Sequence, residues 1–271
     1  MKQNLHVHSI YSDGKSSPEE ILDTAVEMGF TSIGFSEHSS MYWAPERAMA
    51  QKNVSKYHEH VNNLKKQYAN KIEVFLGLEL DIFSEVDLSD YDYVIGSVHY
   101  LHCDGKKVGM DRSLEEVKSV IDTYFNSDGM KYAKAYWETV AQMHDMKNID
   151  ILGHVDLVSK HCEKSDLFDT QSKEYRNCAI ESIEAISRNV PIFEVNTGAI
   201  SRGYRTTPYP DPYLLKEMKR LNMKPLISSD CHEKSTLDTY YKEAEQLLLS
   251  CGFNEIYILT KDGFIPEKIK G

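Results

Sequence analysis

The sequence predicts an α/β fold, a distorted (β/α)7 barrel similar to a TIM barrel. Apolar runs alternate seven times with stretches of helical periodicity along the 271 residues. Strands joined through helices by short loops pair in parallel. Nearly every run ends in a polar side chain, as expected where strand ends converge on one functional face. An open doubly wound sheet is the alternative. A glycine-rich dinucleotide fingerprint follows none of the runs, which argues against a nucleotide cofactor.

The predicted strands are short and mostly apolar. The opening strand carries His6 and His8, and their spacing puts both side chains on one face of the strand. The other barrel strands are predicted at 31–36, 72–78, 92–98, 149–153, 191–195 and 224–229, and a short final strand at 255–259.

Helix caps and apolar stripes place the helices between these strands. Ser17 and Ser113 each precede a glutamate by three residues, which is the pattern of a capping box. Asp211 precedes a proline, as an N-cap residue often does. The predicted helices cover 18–28, a stretch through 68, a stretch from 113, 131–146, 173–188, a stretch from 211 and 237–250. Loops are predicted at 101–111 and after the strand that ends at 195.

Composition excludes several classes of function. The chain has 31 basic and 42 acidic residues and a net charge of −11, so no nucleic-acid partner is expected. It has no apolar run long enough to cross a bilayer and no signal peptide, so no membrane partner and a cytoplasmic location are expected. Five scattered cysteines without a CxxC pair indicate neither a disulfide framework nor a cysteine zinc site. One domain over 1–271 is expected, and the oligomeric state stays open.

The polar residues at the strand ends have the chemistry of metal ligands. Six of the eleven histidines lie there, together with carboxylates and no thiolate, a mixture that suits zinc, iron or manganese. One tetrahedral ion needs four ligands, and the sequence offers nine candidates, which predicts two or three divalent transition-metal ions. A site of that kind is typical of hydrolysis by a metal-bound hydroxide. The nine candidates are His6, His8, Asp13, His38, Glu79, His99, His154, Asp230 and His232.

Six motifs, in order along the chain, resemble those of the PHP (polymerase and histidinol phosphatase) family. They are LHVHSIYSDG at 5–14, SEHS at 36–39, GLE at 77–79, SVH at 97–99, GHVD at 153–156 and SDCH at 229–232. The segment that begins EVNTGAISRGY at 194 is most similar to the histidinol-phosphatase branch. The resemblance implies a seven-stranded barrel of the PHP type with a trinuclear metal centre. It implies one ion held by His6, His8, Glu79 and Asp230, a second by Glu79, His99 and His154, and a third by Asp13, His38 and His232.

The same resemblance implies hydrolysis of a small phosphate monoester, L-histidinol phosphate, in histidine biosynthesis. Glu79, His99, Asp230 and Arg202 are then the expected catalytic residues, with a metal-bridging hydroxide attacking phosphorus. A dianionic monoester favours a forked cation, which Arg202 can supply. Relatives often carry arginine where this chain has Lys160, and Arg205 is a further candidate for contact with the substrate.

Two alternative functions remain open at this stage. Other branches of the family act as phosphodiesterases or nucleotide phosphoesterases, although this chain lacks an aromatic and basic groove for a nucleic-acid strand. A non-catalytic metal-binding module is the other alternative, but such a module is expected to lose ligands and all nine positions are filled. Glu37 and Asp156 are predicted to orient the imidazoles of ligand histidines.

Overall fold

The computed structural model describes residues 1–270 and contains a seven-stranded parallel sheet. Within those residues the strands are β1 (Gln3–Asn4), β2 (Ser32–His38), β3 (Glu73–Asp81), β4 (Tyr93–Ser97), β5 (Tyr100–Cys103), β6 (Lys106–Gly109), β7 (Ile151–Leu152), β8 (Ile192–Asn196), β9 (Lys224–Ser228), β10 (Glu255–Thr260) and β11 (Gly263–Lys268). The sheet has the order β1-β2-β3-β4-β7-β8-β9. Each adjacent pair is parallel, which follows from the helical connections between them.

The two edges of this sheet meet directly after β1 and β9. Val7 and Cys231 form a parallel bridge there. The His8 N–H donates to the Cys231 carbonyl at 2.8 Å, and the Cys231 N–H donates to the His6 carbonyl at 3.0 Å. The sheet is therefore a nearly closed (β/α)7 barrel, and the predicted fold class is confirmed.

Eight α-helices surround the barrel within residues 1–270. They are α1 (Pro18–Glu27), α2 (Val54–Gln67), α3 (Leu114–Tyr124), α4 (Gly129–Ala141), α5 (Lys173–Ile186), α6 (Gly198–Ser201), α7 (Pro212–Arg220) and α8 (Tyr241–Ser250). The capping boxes predicted at Ser17 and Ser113 are both present, and Asp211 caps α7. Every helix in these residues is too short or too polar to span a bilayer.

Two hairpins differ from the prediction. Residues 101–111 were predicted as a loop, but most of them belong to the antiparallel pair β5 and β6. Asp104 and Gly105 both have positive φ, 48° and 76°, as the tight turn of a two-residue hairpin requires. The second difference is β11, which pairs with β10 and extends the predicted final strand into a hairpin.

An apolar layer inside the barrel forms the floor of the candidate site. Phe75, Gly77 and Glu79 alternate along β3 and share one face, so Glu79 lies above the floor. Tyr93 fills the space beside Gly77, where a Cβ atom would lie 2.2 Å from its ring. Side chains of several strands complete this buried cluster, namely Leu5, Ile95, Ile151, Ile192 and Leu226. Polar groups above the floor are thereby shielded from solvent on that side.

Candidate metal centre

The structure brings all nine predicted ligands together at the C-terminal ends of the barrel strands. These residues form four overlapping groups, and within each group the potential metal-binding atoms all lie within 4.8 Å of one another. Asp13 and His232 are half-buried, and the other seven side chains are buried. The groups are His8, Asp13, His38 and His232; His6, Glu79 and His154; His6, His8 and Asp230; and His38, Glu79 and His99.

Glu79 lies at the centre of this cluster and is 1% exposed. Its Oε1 atom is 3.0 Å from Nε2 of His154 and 3.2 Å from Nε2 of His99. Its Oε2 atom is 2.8 Å from Nδ1 of His38 and 3.5 Å from Nε2 of His8. Burial alone would raise the pKa of Glu79, but the surrounding imidazoles hold that pKa well below its usual range. A carboxylate with histidines on both oxygens can bridge two ions.

Asp230 reaches the cluster from the loop after β9. Its φ of 48° lies in the left-handed region, which aspartate tolerates better than most residues. Its Oδ1 atom is 3.4 Å from Nε2 of His8 and 3.6 Å from Nε2 of His6. The Arg202 guanidinium donates to Oδ2 of Asp230 at 2.8 Å and to its backbone carbonyl at 3.0 Å. The predicted catalytic pair of Asp230 and Arg202 is therefore in direct contact.

Asp13 lies in a turn that returns its carboxylate to the cluster. Its Oδ1 atom is 3.2 Å from Nε2 of His232 and 3.5 Å from Nε2 of His38. Glu37 holds the start of this turn, because it accepts hydrogen bonds from the Ser9 N–H and from the hydroxyls of Ser9 and Ser12. Burial raises the pKa of Glu37 to about 7.

The unpaired atoms of the cluster fit metal ions. Within residues 1–270, several buried nitrogen and oxygen atoms of the cluster have no hydrogen-bond partner. A buried polar atom without a partner destabilises the fold unless something else contacts it. The donors are imidazole nitrogens and carboxylate oxygens without thiolate, as zinc, iron and manganese accept. The unpaired atoms include Nε2 of His6 and His8, both ring nitrogens of His38, Oδ1 of Asp13 and Oε2 of Glu79.

Two carboxylates that the sequence did not point to contact histidines of the cluster. Glu194 on β8 accepts a hydrogen bond from Nδ1 of His6 at 2.8 Å and one from the His154 N–H at 2.6 Å. Asp81 on β3 accepts a hydrogen bond from the His99 N–H at 3.0 Å. Both lie two residues from another polar strand-end residue, Asn196 or Glu79, and that alternation is a signal in the sequence that could have found them.

Glu37 and Asp156, which were predicted to orient imidazoles, contact other groups instead. Glu37 holds the turn before Asp13, as described above. Asp156 accepts a hydrogen bond from the Asp211 N–H at 3.0 Å and lies 3.6 Å from Nη1 of Arg205.

A cavity of about 400 Å³ opens beside the cluster. Two predicted substrate-binding residues, Arg202 and Lys160, line it. Arg47 and Asp111 also line it, and the sequence analysis did not identify either residue. Arg47 lies in the loop after β2, and Asp111 lies just beyond the β5–β6 hairpin. Their cationic and anionic groups make one wall of the cavity strongly charged.

Arg205 lies outside this cavity, contrary to its predicted contact with the substrate. It is buried and donates to the Ser159 hydroxyl, and its Nε lies 3.6 Å from Glu163. It lines a separate cavity of about 180 Å³ together with Asp156. The two nearby carboxylates draw the guanidinium away from the cluster of histidines.

Comparison with known families matches residues 4–198 to the PHP domain. That match covers well over half of the chain. The chain belongs to the PHP family. The matched region contains seven of the nine clustered side chains, and Asp230 and His232 follow it.

Curated PHP relatives resemble the chain over nearly its whole length. The histidinol-phosphatase of Bacillus subtilis is 24% identical over 263 residues, which cover 89% of this chain and 97% of that relative. The histidinol-phosphatase of Lactococcus lactis is 24% identical over 265 residues, which cover 94% of this chain and 93% of that relative.

A solved PHP structure has the same fold. It is the crystal structure of histidinol phosphate phosphatase from Lactococcus lactis, complexed with zinc, L-histidinol and phosphate. The TM-score is 0.74 at 21% sequence identity, and the match covers 97% of this chain and 98% of that one.

Proposed function

We propose that this PHP protein hydrolyses L-histidinol phosphate to L-histidinol and inorganic phosphate. The observation that carries the proposal is the cluster of nine candidate metal ligands beside a small cavity that is partly lined by cationic side chains. Relatives named histidinol-phosphatase align with nearly the whole chain, and a neighbour of the same fold binds zinc, L-histidinol and phosphate. These likenesses support the choice of substrate.

We also propose that two or three divalent ions of zinc, iron or manganese occupy the cluster. His6, His8, Glu79 and Asp230 would hold one ion, Glu79, His99 and His154 a second, and Asp13, His38 and His232 a third. Bound ions would supply a Lewis acid and activate water near neutral pH. The groups of donor atoms support the first set through His6, His8 and Asp230 and the third through Asp13, His38 and His232, which His8 joins. Glu79 groups with His154 beside His6 and with His99 beside His38, so the second set is divided between two groups.

The chain's own residues would bind and orient the phosphate group. Arg202 uses three of its five N–H groups toward Asp230 and His232, and the remaining two can contact phosphate oxygens in a forked geometry. Lys160 presents an ammonium group on another side of the same cavity. Glu194 accepts a hydrogen bond from Nδ1–H of His6, so Nε2, which faces Glu79 and Asp230, is the nitrogen that would bind an ion.

We propose that residues 1–271 act as a single catalytic domain in the cytoplasm. The supporting contacts join the residues after β1 to those after β9, since Asp230 lies 3.6 Å from His6 and the Val7–Cys231 bridge closes the barrel. The substrate enters as a small molecule, and the net charge of −11 disfavours a nucleic-acid partner.

Purified protein is expected to contain two or three transition-metal ions per chain by elemental analysis. Removal of the ions with a chelator should lower the melting temperature by several degrees, because buried donors then lose their partners. Readdition of zinc, iron or manganese should restore both the melting temperature and phosphate release. Fewer than one equivalent, with full activity after chelation, would contradict the metal assignment.

Substitution Arg202→Lys is expected to lower kcat/KM for the phosphate ester about tenfold, because lysine keeps the charge but loses the fork. Lys118→Arg is a matched control, since Lys118 is exposed on α3 and lies outside the cavity. The measurement is steady-state phosphate release at fixed ionic strength. An unchanged kcat/KM in Arg202→Lys would remove the forked contact from the proposal.

The substrate proposal is tested with the purified protein and three kinds of ester. L-histidinol phosphate should be hydrolysed with a kcat/KM at least about tenfold above that of two unrelated phosphate monoesters and of a dinucleotide, the margin that one good specific contact supplies. Faster cleavage of the dinucleotide would favour a nucleotide phosphoesterase instead. Metal content without hydrolysis of any ester would favour a metal-binding module.

A further inference from the structure

A continuous chain of ionic and histidine groups runs around the cavity. From each residue of this chain to the next, the contacting side-chain atoms are 2.6, 2.7, 3.4, 3.2, 3.3 and 2.8 Å apart. All of its members line the cavity. In order they are Lys160, Asp111, Arg47, Asp13, His232, Arg202 and Asp230.

Asp111 is the carboxylate that joins the two cations at one end of this chain. Its Oδ1 accepts from Nζ of Lys160 at 2.6 Å, and its Oδ2 accepts from Nη2 of Arg47 at 2.7 Å. Burial alone would raise the pKa of Asp111, but Arg47 and Lys160 hold that pKa well below its usual range. One negative charge between two positive charges leaves this trio with a net charge of +1.

Both cations keep hydrogen-bond donors for a ligand. Arg47 has five N–H groups and uses one toward Asp13 and two toward Asp111. Lys160 uses one of its three N–H groups toward Asp111. Within residues 1–270 the remaining donors of both side chains have no protein acceptor, and both side chains line the cavity.

We propose that Arg47 binds the phosphate group of the substrate together with Lys160, and that Asp111 is the positioning residue that fixes both cations. This inference rests on the proposed phosphatase function, because it takes phosphate as the ligand of the cavity. Arg47 and Lys160 would contact phosphate with the N–H groups that do not face Asp111 or Asp13. A buried ion pair adds little net stability, whereas fixed donors lose little entropy when they bind an anion.

A neighbouring ion pair separates this role from a purely structural one. Glu46 and Arg112 are the residues next to Arg47 and Asp111, and they join the same two loops with a contact of 2.7 Å. Neither Glu46 nor Arg112 lines the cavity, and Glu46 is 56% exposed. If the Arg47–Asp111 pair only tied the loops together, breaking the Glu46–Arg112 pair should have a similar effect.

The first test compares Arg47→Met with Glu46→Gln in the protein as purified with its metal ions. The dissociation constant of inorganic phosphate is measured by calorimetry. We expect Arg47→Met to weaken phosphate binding roughly 10- to 100-fold, the range for loss of charged hydrogen bonds. Glu46→Gln should leave the constant within about twofold. Equal weakening in both variants, or unchanged affinity in Arg47→Met, would overturn the proposal.

The second test separates positioning from charge with Asp111→Asn. Loss of one negative charge makes the trio more positive, so charge alone predicts tighter phosphate binding. Positioning predicts weaker binding, because Lys160 and Arg47 lose their shared anchor. We expect phosphate binding to weaken at least fivefold relative to wild type. This loss should persist at every salt concentration between 20 and 200 mM, over which the screening length falls from about 20 Å to about 7 Å. Tighter binding than wild type would overturn the role of Asp111.

Arg47→Lys provides a further test of the contact between Arg47 and phosphate if the Asp111→Asn variant does not fold. Lysine retains the charge and loses the fork, so phosphate binding should weaken several-fold at an unchanged melting temperature. Wild-type affinity in that variant would overturn the contact of Arg47 with phosphate. Hydrolysis of L-histidinol phosphate is measured separately, so its absence would contradict the proposed substrate while phosphate binding still tests Arg47.

Discussion

Replacing Glu79 by glutamine is expected to abolish phosphate release and to remove bound metal. The amide has the same shape but no charge, and one of its two positions becomes a hydrogen-bond donor. That donor would face histidine nitrogens that lie 2.8–3.5 Å from the present carboxylate oxygens. We expect kcat/KM to fall more than about 100-fold, beyond the usual effect of a partner that only orients a ligand. Metal per chain by elemental analysis should fall in parallel.

Glu73→Gln is the matched control for this substitution. Glu73 is on the same strand and the same face as Glu79, but it is half-buried at the opposite end of the strand. It should leave metal content and activity within about twofold, since it is remote from the cluster. Circular dichroism should show both variants folded. Wild-type metal content and kcat/KM in Glu79→Gln would contradict the bridging role of this carboxylate.

The ligand cluster could be predicted because each ligand has a local signal. His6 and His8 show the spacing of one strand face, and Glu79, His99 and His154 each end an apolar run. The geometry of parallel strands then brings those ends to one place. The same logic predicted the barrel. It required no knowledge of contacts between distant loops.

The charged wall of the cavity could not be predicted in this way. Arg47 lies in a long polar loop, and Asp111 lies beyond a hairpin that the sequence analysis treated as irregular. The two residues are 64 positions apart, and no periodicity relates them. Their contact depends on how two loops fold over the barrel mouth, which short-range patterns do not specify.

Arg202 and Arg205 lie on one loop, but only Arg202 lines the cavity beside the cluster. Both are cations of the segment after β8 that are expected from the sequence to contact the substrate, and Arg202 is also expected to be catalytic. The structure separates them because Asp230 draws Arg202 toward the cluster, while Asp156 and Glu163 draw Arg205 toward another cavity. The direction of each side chain is set by carboxylates from two other parts of the chain, the segment after β7 and the loop after β9.

Glu194→Gln is expected to lower metal affinity roughly 10- to 100-fold while the protein stays folded. Oε1 of Glu194 accepts from the His154 N–H at 2.6 Å and from the Asn196 amide at 2.9 Å, so the glutamine oxygen must occupy that position. The new NH₂ group then faces Ser228, whose hydroxyl can rotate to accept, and Nδ1 of His6. To accept that hydrogen bond, His6 must move its proton to Nε2, the nitrogen that faces Glu79 and Asp230. The proton on Nε2 then opposes metal binding by His6.

Two measurements distinguish this mechanism from simple loss of stability. The carboxylates around His6 hold its pKa well above the usual range, so the nitrogen chemical shifts of His6 in metal-free protein are recorded at a pH high enough to make the ring neutral. They should then show a proton on Nδ1 in wild type and on Nε2 in Glu194→Gln. Glu194→Ala should instead destabilise the fold by about 3–5 kcal/mol, because it leaves buried donors of His6, His154 and Ser228 unpaired. Glu184→Gln, at an exposed ion pair with Arg220, should cost under about 1 kcal/mol. A protonated Nδ1 on His6 together with wild-type metal affinity in Glu194→Gln would show that the carboxylate does not set the tautomer.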